Sequence, residues 1–404
     1  MPTLSFEEAR ACVLREVAVL RRLGGDLCSE NVTLEQAAGR VLARDACADR
    51  DYPPLDRSIR DGFAVRAADL PGRLPVTGEV RAGETFAGSV GLGEAVEIMT
   101  GAAVPDGADA VVMVEHVTRD GDTIETARSP KPGEFVNRRG SESRKGDTII
   151  PAGKRLDFSD VALLATVGIT KVPVFMKPRV AILATGDEIV PPEQTPEAFQ
   201  IRNSNVYSLA VQVRHAGGVP YLLPVAPDRY DDTRWLIEKG LQMDLLLLSG
   251  GVSAGKYDLV ETVLADLGAS FFFDRVGIQP GQPLVFGQAP GDDGRPRVVF
   301  GLPGNPASTM VTFEIFARAA LELLSGQTEA FLPLTHARLA APFRHKKGLT
   351  RFLPARLHSD GRLSHIPWQG SSDVPAISRA NAFLVADADR ESWEEGEWIR
   401  VLLK

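Results

Sequence analysis

The sequence predicts an α/β multidomain protein built around one doubly wound, mostly parallel sheet. Two observations carry that prediction. From Val180 onward, short apolar runs alternate with segments of helical period, and strands alternating with helices of roughly ten or more residues imply parallel pairing. On either side of this stretch, residues 52–137 and the residues after Gly326 break into short apolar runs separated by Gly, Asp and Pro, which argues for β structure. With 404 residues, 44% of them apolar, the chain has room for several packed cores.

Taken in order, Ser5 followed by Glu8 spells a capping box, and Ala9, Val13, Val17 and Leu20 recur at helical spacing until Gly24 and Gly25 stop the pattern. A second box, Thr33 with Gln36, predicts a helix running through Val41. Runs such as AVEIMTG and ADAVVMVE belong to the inserted β unit, and SDVALLATVGI, residues 159–169, returns to helix. VAIL, residues 180–183, is the first strand of the α/β unit. Ser204 is then expected to cap a helix that buries Val206, Leu209, Ala210 and Val213 before Gly217 and Gly218 end it. VPYLLPV is the next strand, DDTRWLIEKGL the next helix, DLLLLSGG the third strand and YDLVETVLADLG the third helix. RVVFGLPGNP closes the unit and feeds a long helix over residues 308–324. FLPARL, NAFLVAD and EWIRVLLK read as strands of a small all-β domain.

A formal charge of −8 gives no global attraction to nucleic acid or to an anionic membrane, so an anionic ligand would need locally clustered donors. The three cysteines, Cys12, Cys28 and Cys47, show neither C-x-x-C spacing nor a companion histidine pair. This argues against a disulfide framework or structural zinc and fits a reducing compartment. No apolar run approaches the roughly twenty residues that span a bilayer, and MPTLSFEEAR lacks a signal-peptide core. A cytoplasmic protein with no membrane and no nucleic-acid partner is the expectation.

LLLLSGGVSAGKYD, residues 245–258, contains the G-x-x-x-x-G-K frame of a phosphate loop. The Ser or Thr that would coordinate magnesium in such a loop is here Tyr257, so the match fails at its essential last letter. What remains is a strand ending in Ser249, Gly250 and Gly251, whose backbone N–H groups near a helix start suit an anion. A ligand-free glycine turn is the plainer alternative. Other strand ends bear on the choice: ATGDEIV places Asp187 and Glu188 after the first strand, APD places Asp228 after the second, and Asp258 stands beside the third. GLPGNP, residues 301–306, follows a later strand and opens a helix. Taken singly, each acid reads as a helix cap or a solvated turn. Together, four strand ends carrying glycines, acids and an amide suggest one crevice beyond the carboxyl edge of the sheet, holding a magnesium–phosphate group.

SGGVSAGKYD, GLPGNP, ATGDE, SIRDGFAV and IMTGAAVPDGADAVVMVE resemble the signatures of the molybdopterin molybdenumtransferases, the family of MoeA and the gephyrin E domain. The resemblance runs from the first helix to the last strand. It implies an extended N-terminal domain (residues 1–50 with 140–177), an inserted β domain (51–139), a molybdopterin-binding α/β domain (178–326) and a C-terminal β-barrel-like domain (327–404). It also implies an elongated homodimer with a site shared between subunits, acting beside a molybdopterin adenylyltransferase. The implied activity is insertion of molybdate into the dithiolene of adenylylated molybdopterin (molybdopterin-AMP), with Mg2+ assisting and AMP released.

Carried over by motif position, Glu188 and Asp258 are the candidate metal ligands and Asp228 a supporting acid. Asp61 of SIRDGFAV and Glu142 of RRGSE complete the candidate catalytic set and would reach the site from the partner subunit; the family usually has Asp where this chain has Glu142. Asn205 would stand near the nucleotide end. Ser249, Gly250, Gly251, Gly301, Pro303, Gly304, Asn305 and Ser308 would shape the pterin and phosphate walls. The clearest departure is IQPGQPLVFG, residues 278–287, where Gln279 and Gln282 replace two lysines that the family places beside the oxyanion. Amides can still donate hydrogen bonds but supply no charge. Leu349 and Pro354 stand where the family often has arginine, leaving Arg351 or Arg356, with Ser371 of QGSS, at the oxyanion end. The basic cluster Arg138, Arg139, Arg144 and Lys145 reads either as an anion attractor or as a solvated face. The retained acids favour an active enzyme. A non-catalytic molybdopterin-binding scaffold and a tungstate-inserting enzyme are the alternatives.

Overall fold

The structure is a computed structural model and describes residues 2–25, 27–251 and 259–404. At its centre is a six-stranded sheet ordered Val219–Leu222, Arg179–Ala184, Leu245–Ser249, Pro296–Leu302, Pro283–Pro290, Ser270–Arg275. The first four strands are mutually parallel and the last two antiparallel. The parallel half is the strand–helix alternation expected from sequence. The antiparallel pair is an addition to it: a hairpin needs no crossover helix, so no helical period announces it.

The alternation of side chains along these strands sorts the helices onto two faces. Val180, Ile182, Leu245 and Leu247 share a core with Val206 and Leu209 of the helix Asn205–His215 and with Phe313 and Phe316. Ala181, Leu183, Leu246 and Leu248 pack instead on Leu236 and Ile237 of Tyr230–Gly240 and on Val260 and Val263 of Leu259–Asp266. Burial on both faces explains why the strand Leu245–Ser249 is almost pure leucine.

The helix Phe6–Leu23 carries its expected capping box, with the Ser5 N–H donating to Glu8 Oε2 at 2.8 Å and the Glu8 N–H to Ser5 Oγ at 3.2 Å. Its buried Ala9, Val13, Val17 and Leu20 join the first face of the α/β core. The second expected helix is a single turn, Leu34–Ala37, and does not reach Val41. Ala38 is extended and Gly39 takes φ +76°, which turns the chain back so that Val41 and Leu42 bridge to Arg155 and Val174. Ser204 occupies the N-cap position of its helix as expected, but its side chain makes no capping bond; Asn203 Oδ1 accepts the Val206 N–H instead, at 3.3 Å. The long helix starts at Pro306 and is interrupted by a π-helical turn, Phe313–Ala317, whose Ile315 carbonyl accepts a hydrogen bond from Arg10 at 2.8 Å.

The inserted unit is a six-stranded sheet ordered Ala110–Met113, Gly62–Val65, Ala95–Ile98, Gly72–Val80, Thr123–Thr126, Thr118–Asp120, with its own core around Phe63, Leu74 and Ile124. In the C-terminal region, Thr350–Leu357, Arg362–His365, Leu334–Leu339, Trp398–Leu403 and Ala382–Ala386 form a sheet that closes when the last pairs with the first. One helix, Val374–Arg379, interrupts the expected all-β pattern, capped by Asp373 Oδ1 on the Ala376 N–H. Ile278–Gln279 pairs in parallel with Thr350–Leu357, tying the α/β unit to this barrel. Among the described residues no helix is long and apolar enough to cross a membrane.

Candidate functional site

The chain first moves outward from Arg179–Ala184 to Val219–Leu222 and then crosses back to Leu245–Ser249, so the two inner strands diverge at a topological switch point. A cleft of about 380 Å³ opens there, beyond their carboxyl ends. Thr185, Ser249, Gly250 and Gly251 line it from these two strand ends, and Pro303, Gly304, Asn305 and Pro306 from the neighbouring one.

Asn205 holds the cleft together from the first turn of its helix. Its Nδ2 donates to Ser249 Oγ at 2.8 Å and to the Gly304 carbonyl at 2.7 Å. A carbonyl can only accept, so the orientation of this amide is fixed. Its Oδ1 is left buried with no partner among the described residues. Gly250, with φ +92°, and Gly251 are required by geometry. Gly251 has φ +64°, and a Cβ there would lie 2.7 Å from Thr185 Oγ1 and 2.7 Å from Val260 Cγ2. A Cβ on Gly304 would stand 3.5 Å from Gly250 Cα, an ordinary contact distance, so the two loops are neighbours without Gly304 being sterically obligatory.

Two backbone donors of these loops are already engaged, Gly250 N–H by the Leu302 carbonyl at 3.2 Å and Ala307 N–H by the Ser371 carbonyl at 2.9 Å. The N–H groups of Gly251, Gly304 and Asn305 have no acceptor among the described residues. Three free donors around one cleft suit a bound anion. Gly301 plays a different part: it lies within its strand, buried, in register with Leu248 and Val285. Ser308 is buried one turn into the following helix, and the Pro303 carbonyl is taken by Thr309 Oγ1 at 2.5 Å.

Glu188 also lines the cleft, with its carboxylate folded back over Gly186, where a Cβ would meet Glu188 Oε2 at 2.4 Å. Three further lining residues carry no motif in the sequence. Ile189–Val190 pairs in parallel with Ile201–Arg202, which brings Ile201, Arg202 and Asn203 to the cleft. Arg202 is exposed, with its Nε on the Gln194 carbonyl at 3.1 Å, and adds a positive charge to the rim. Its only sequence signal is its position three residues before Asn205.

A second group of candidates gathers where the α/β unit meets the barrel. Gln279 and Arg351 are direct register partners. Arg351 Nε is buried without a hydrogen-bond partner. Gln282 immediately precedes Pro283, which lines the cleft, and Gly281 packs so tightly on the helix Pro306–Thr312 that a Cβ would lie 2.3 Å from Thr312 Cγ2. Ser371 reaches the start of the same helix through its carbonyl bond to Ala307. Gly281 and Ser371 thus approach opposite ends of the helix Pro306–Thr312, whose first residue lines the cleft.

Other candidates lie apart. Asp228 is exposed and does not line the cleft; its N–H donates to Asp187 Oδ1 at 3.2 Å. Asp258, with Lys256 and Tyr257, lies outside the described residues. Among the described residues no group of three His, Cys, Asp or Glu side chains is placed to hold a metal. Asp61 is on the insert, where Oδ1 accepts from the Thr100 N–H at 2.6 Å and from Thr100 Oγ1 at 2.8 Å. These bonds, the backbone one first, hold its carboxyl below the usual carboxylate range. Glu142 Oε1 accepts from Asn137 Nδ2 at 2.9 Å. In the basic cluster, Arg138 pairs with Asp56 and Arg139 with Asp51, each at 2.7 Å, so half of the cluster is locally neutralised.

Comparison with known proteins covers the same ground as the fold. Residues 4–168 match the MoeA N-terminal region (domain I and II), residues 181–323 a probable molybdopterin binding domain, and residues 336–404 the MoeA C-terminal region (domain IV). A molybdopterin molybdenumtransferase of Bacillus subtilis is 34% identical over 390 residues, covering 93% of this chain and 90% of its own. One of Synechococcus elongatus is 34% identical over 411 residues, covering 98% and 99%. The crystal structure of the molybdopterin biosynthesis MoeA protein of Pyrococcus horikoshii OT3 matches with a TM-score of 0.82 at 30% identity over 100% of both chains. With all three regions matched in order and the fold shared end to end, the chain belongs to the MoeA family of molybdopterin molybdenumtransferases.

Proposed function

We propose that this protein inserts molybdate into the dithiolene of adenylylated molybdopterin and releases AMP. The observation that carries the reading is the switch-point cleft, with the free N–H groups of Gly251, Gly304 and Asn305 arranged beside Asn205. The relatives' shared name, molybdopterin molybdenumtransferase, supplies the substrate class.

In this reading the three free N–H groups orient phosphate oxygens of the substrate, and Arg202 offsets their charge at the rim. Asn205 keeps the two glycine loops in register. At the barrel junction the Gln279 and Gln282 amides and the Arg351 guanidinium hold the oxyanion, with Ser371 beside them. Mg2+ fits this donor set: it is commonly bound through one or two carboxylates together with substrate phosphates, and Glu188 stands at the cleft. Asp258 would be the second carboxylate and Asp228 an outer support. When bound, the ion would neutralise charge on the departing phosphate. Asp61 and Glu142 would enter from the partner subunit of a homodimer. The setting is cytoplasmic, with a molybdopterin adenylyltransferase supplying the substrate.

Replacement of two lysines by Gln279 and Gln282 favours one other reading, a scaffold that binds the pterin without turnover. The deciding experiment is AMP release from molybdopterin-AMP with magnesium, with and without molybdate. Release that rises with molybdate is the expected result. Tight binding without release would overturn the enzymatic reading in favour of the scaffold. Equal stimulation by tungstate would broaden the oxyanion class.

A further inference from the structure

A groove of about 830 Å³ lies away from the cleft. The long helix connects the two: Pro306 lines the cleft and Leu323 the groove, a separation of roughly 25 Å at 1.5 Å per residue. The groove is bounded by the last turns of the helix Phe6–Leu23, the segments around Leu27 and Arg44, and Phe175.

Among the described residues that line it, its charge is one-sided: the charged side chains are Arg21, Arg22 and Arg44, in a chain of net charge −8. None of the three has a carboxylate partner among the described residues, whereas Arg15 pairs with Glu16 at 2.8 Å and Arg40 with Glu30 at 2.6 Å nearby. Arg21 is half-buried, and its hydrogen bond is to the Gln327 carbonyl at 3.2 Å. Burial pushes its pKa down, as expected of a desolvated cation lacking a counter-charge. The helix dipole favours cations in a last turn and accounts for the presence of Arg21 and Arg22. It does not account for Arg44, which a separate segment brings to the same groove.

We propose that this groove binds a phosphorylated small molecule, with its phosphate on Arg21, Arg22 and Arg44 and its apolar body against Leu27, Phe175 and Leu323. Guanidinium groups pair bidentately with phosphate oxygens, and three converging cations match a multiply charged phosphate better than a single carboxylate. The volume falls in the range of small-molecule pockets. The site is independent of the reaction assigned to the cleft.

A local reporter is built in. Cys28 lies between Leu27 and Ser29 of the groove and is exposed, Cys12 is buried, and Cys47 is the other exposed thiol. Cys28 does not itself line the groove but is flanked by two residues that do, so in the full chain carrying Cys47→Ser, a ligand held in the groove is expected to slow Cys28 labelling, with titration calorimetry as the direct measure of binding. ATP is expected to slow labelling saturably, and pyrophosphate to do so with weaker affinity. Arg44→Glu should raise the half-saturating ATP concentration roughly tenfold or more, since it removes a charge-assisted contact and adds repulsion. Arg22 and Arg44 are exposed, so Arg22→Glu with Arg44→Glu should abolish protection without unfolding the chain. Protection should survive Asn205→Ala, which damages the cleft. No protection by either probe, protection that persists in the double arginine variant, or protection lost on Asn205→Ala would overturn the proposal. Equal affinity for pyrophosphate and ATP would remove the apolar wall from it.

Discussion

The strand-end cleft and the edge of the inserted β unit carry the two halves of the candidate site, and they are built in opposite ways. The cleft is built from strand ends of one chain: Asn205 bridges Ser249 and Gly304, Gly250 and Gly251 take left-handed backbone that disfavours a side chain, and three N–H groups have no acceptor among the described residues. The insert and the segment that follows it instead present exposed carboxylates. Asp61 is oriented by Thr100 and Glu142 by Asn137, yet neither lines the cleft. A pocket with vacant donors is made to bind; an oriented acid without a pocket acts once a second surface is brought to it. The cleft should therefore govern affinity and the insert turnover.

The largest effect that would test this division is expected from Asp61→Ala. Molybdate-dependent AMP release should fall by roughly a hundredfold or more, the scale of losing a positioned acid–base or charge-bearing group. Affinity for molybdopterin-AMP, measured by titration calorimetry, should stay unchanged. A loss of affinity instead would break the comparison. Asn205→Ala is the converse. It strips a donor from the Gly304 carbonyl and from Ser249, an effect of roughly 1–3 kcal/mol on cleft integrity, and should weaken pterin binding about tenfold or more. Gly251→Ala should act in the same direction and also lower thermal stability, by about 1–2 kcal/mol, because φ +64° disfavours a side chain.

Gln279→Lys probes the junction between the two halves. A cation beside Arg351 should lower the half-saturating molybdate concentration several-fold while leaving pterin affinity alone; steady-state kinetics in molybdate would read it. The smallest expected change is in pH dependence. Thr100→Val keeps the backbone bond to Asp61 and loses the hydroxyl bond, so the Asp61 pKa should rise toward the ordinary carboxylate value and the acid limb of the rate profile move to higher pH. The stability sign follows from linkage: a depressed carboxyl stabilises the fold fully above its unfolded-state pKa, and that contribution is lost as pH falls through the folded value. The variant should thus lose stability at neutral pH relative to its parent and converge with it in acid.

The sequence reading reached the parallel half of the central sheet because buried strands and amphipathic helices have different periods. The hairpin of Ser270–Arg275 and Pro283–Pro290 escaped it, as adjacent antiparallel strands carry no such alternation. Capping signals located helix starts better than ends. Ser5 and Glu8 performed as spelled, but Gly39 cut the second helix to one turn, and at the N-cap Ser204 the side-chain bond comes from Asn203 instead. In the cleft, the glycines and Asn205 were visible as strand-end motifs. Arg202 was not, since its arrival depends on a two-residue strand pairing rather than on any local pattern. The insert acids stood out only through family resemblance, because an Asp before a Gly looks like any turn.

The central claim, a cleft in one chain completed by an insert from another, is tested most directly by co-expressing Asp61→Ala and Asn205→Ala chains and measuring molybdate-dependent AMP release. At molybdopterin-AMP concentrations well below half-saturation, the Asp61→Ala homodimer should be nearly inactive and the Asn205→Ala homodimer reduced to about a tenth or less, as its weakened affinity dictates. In a symmetric dimer with shared sites, random pairing leaves one intact site in half of the dimers, so about a quarter of wild-type activity should return. Activity no greater than that of the single variants would contradict the account and place both residues' roles within one chain.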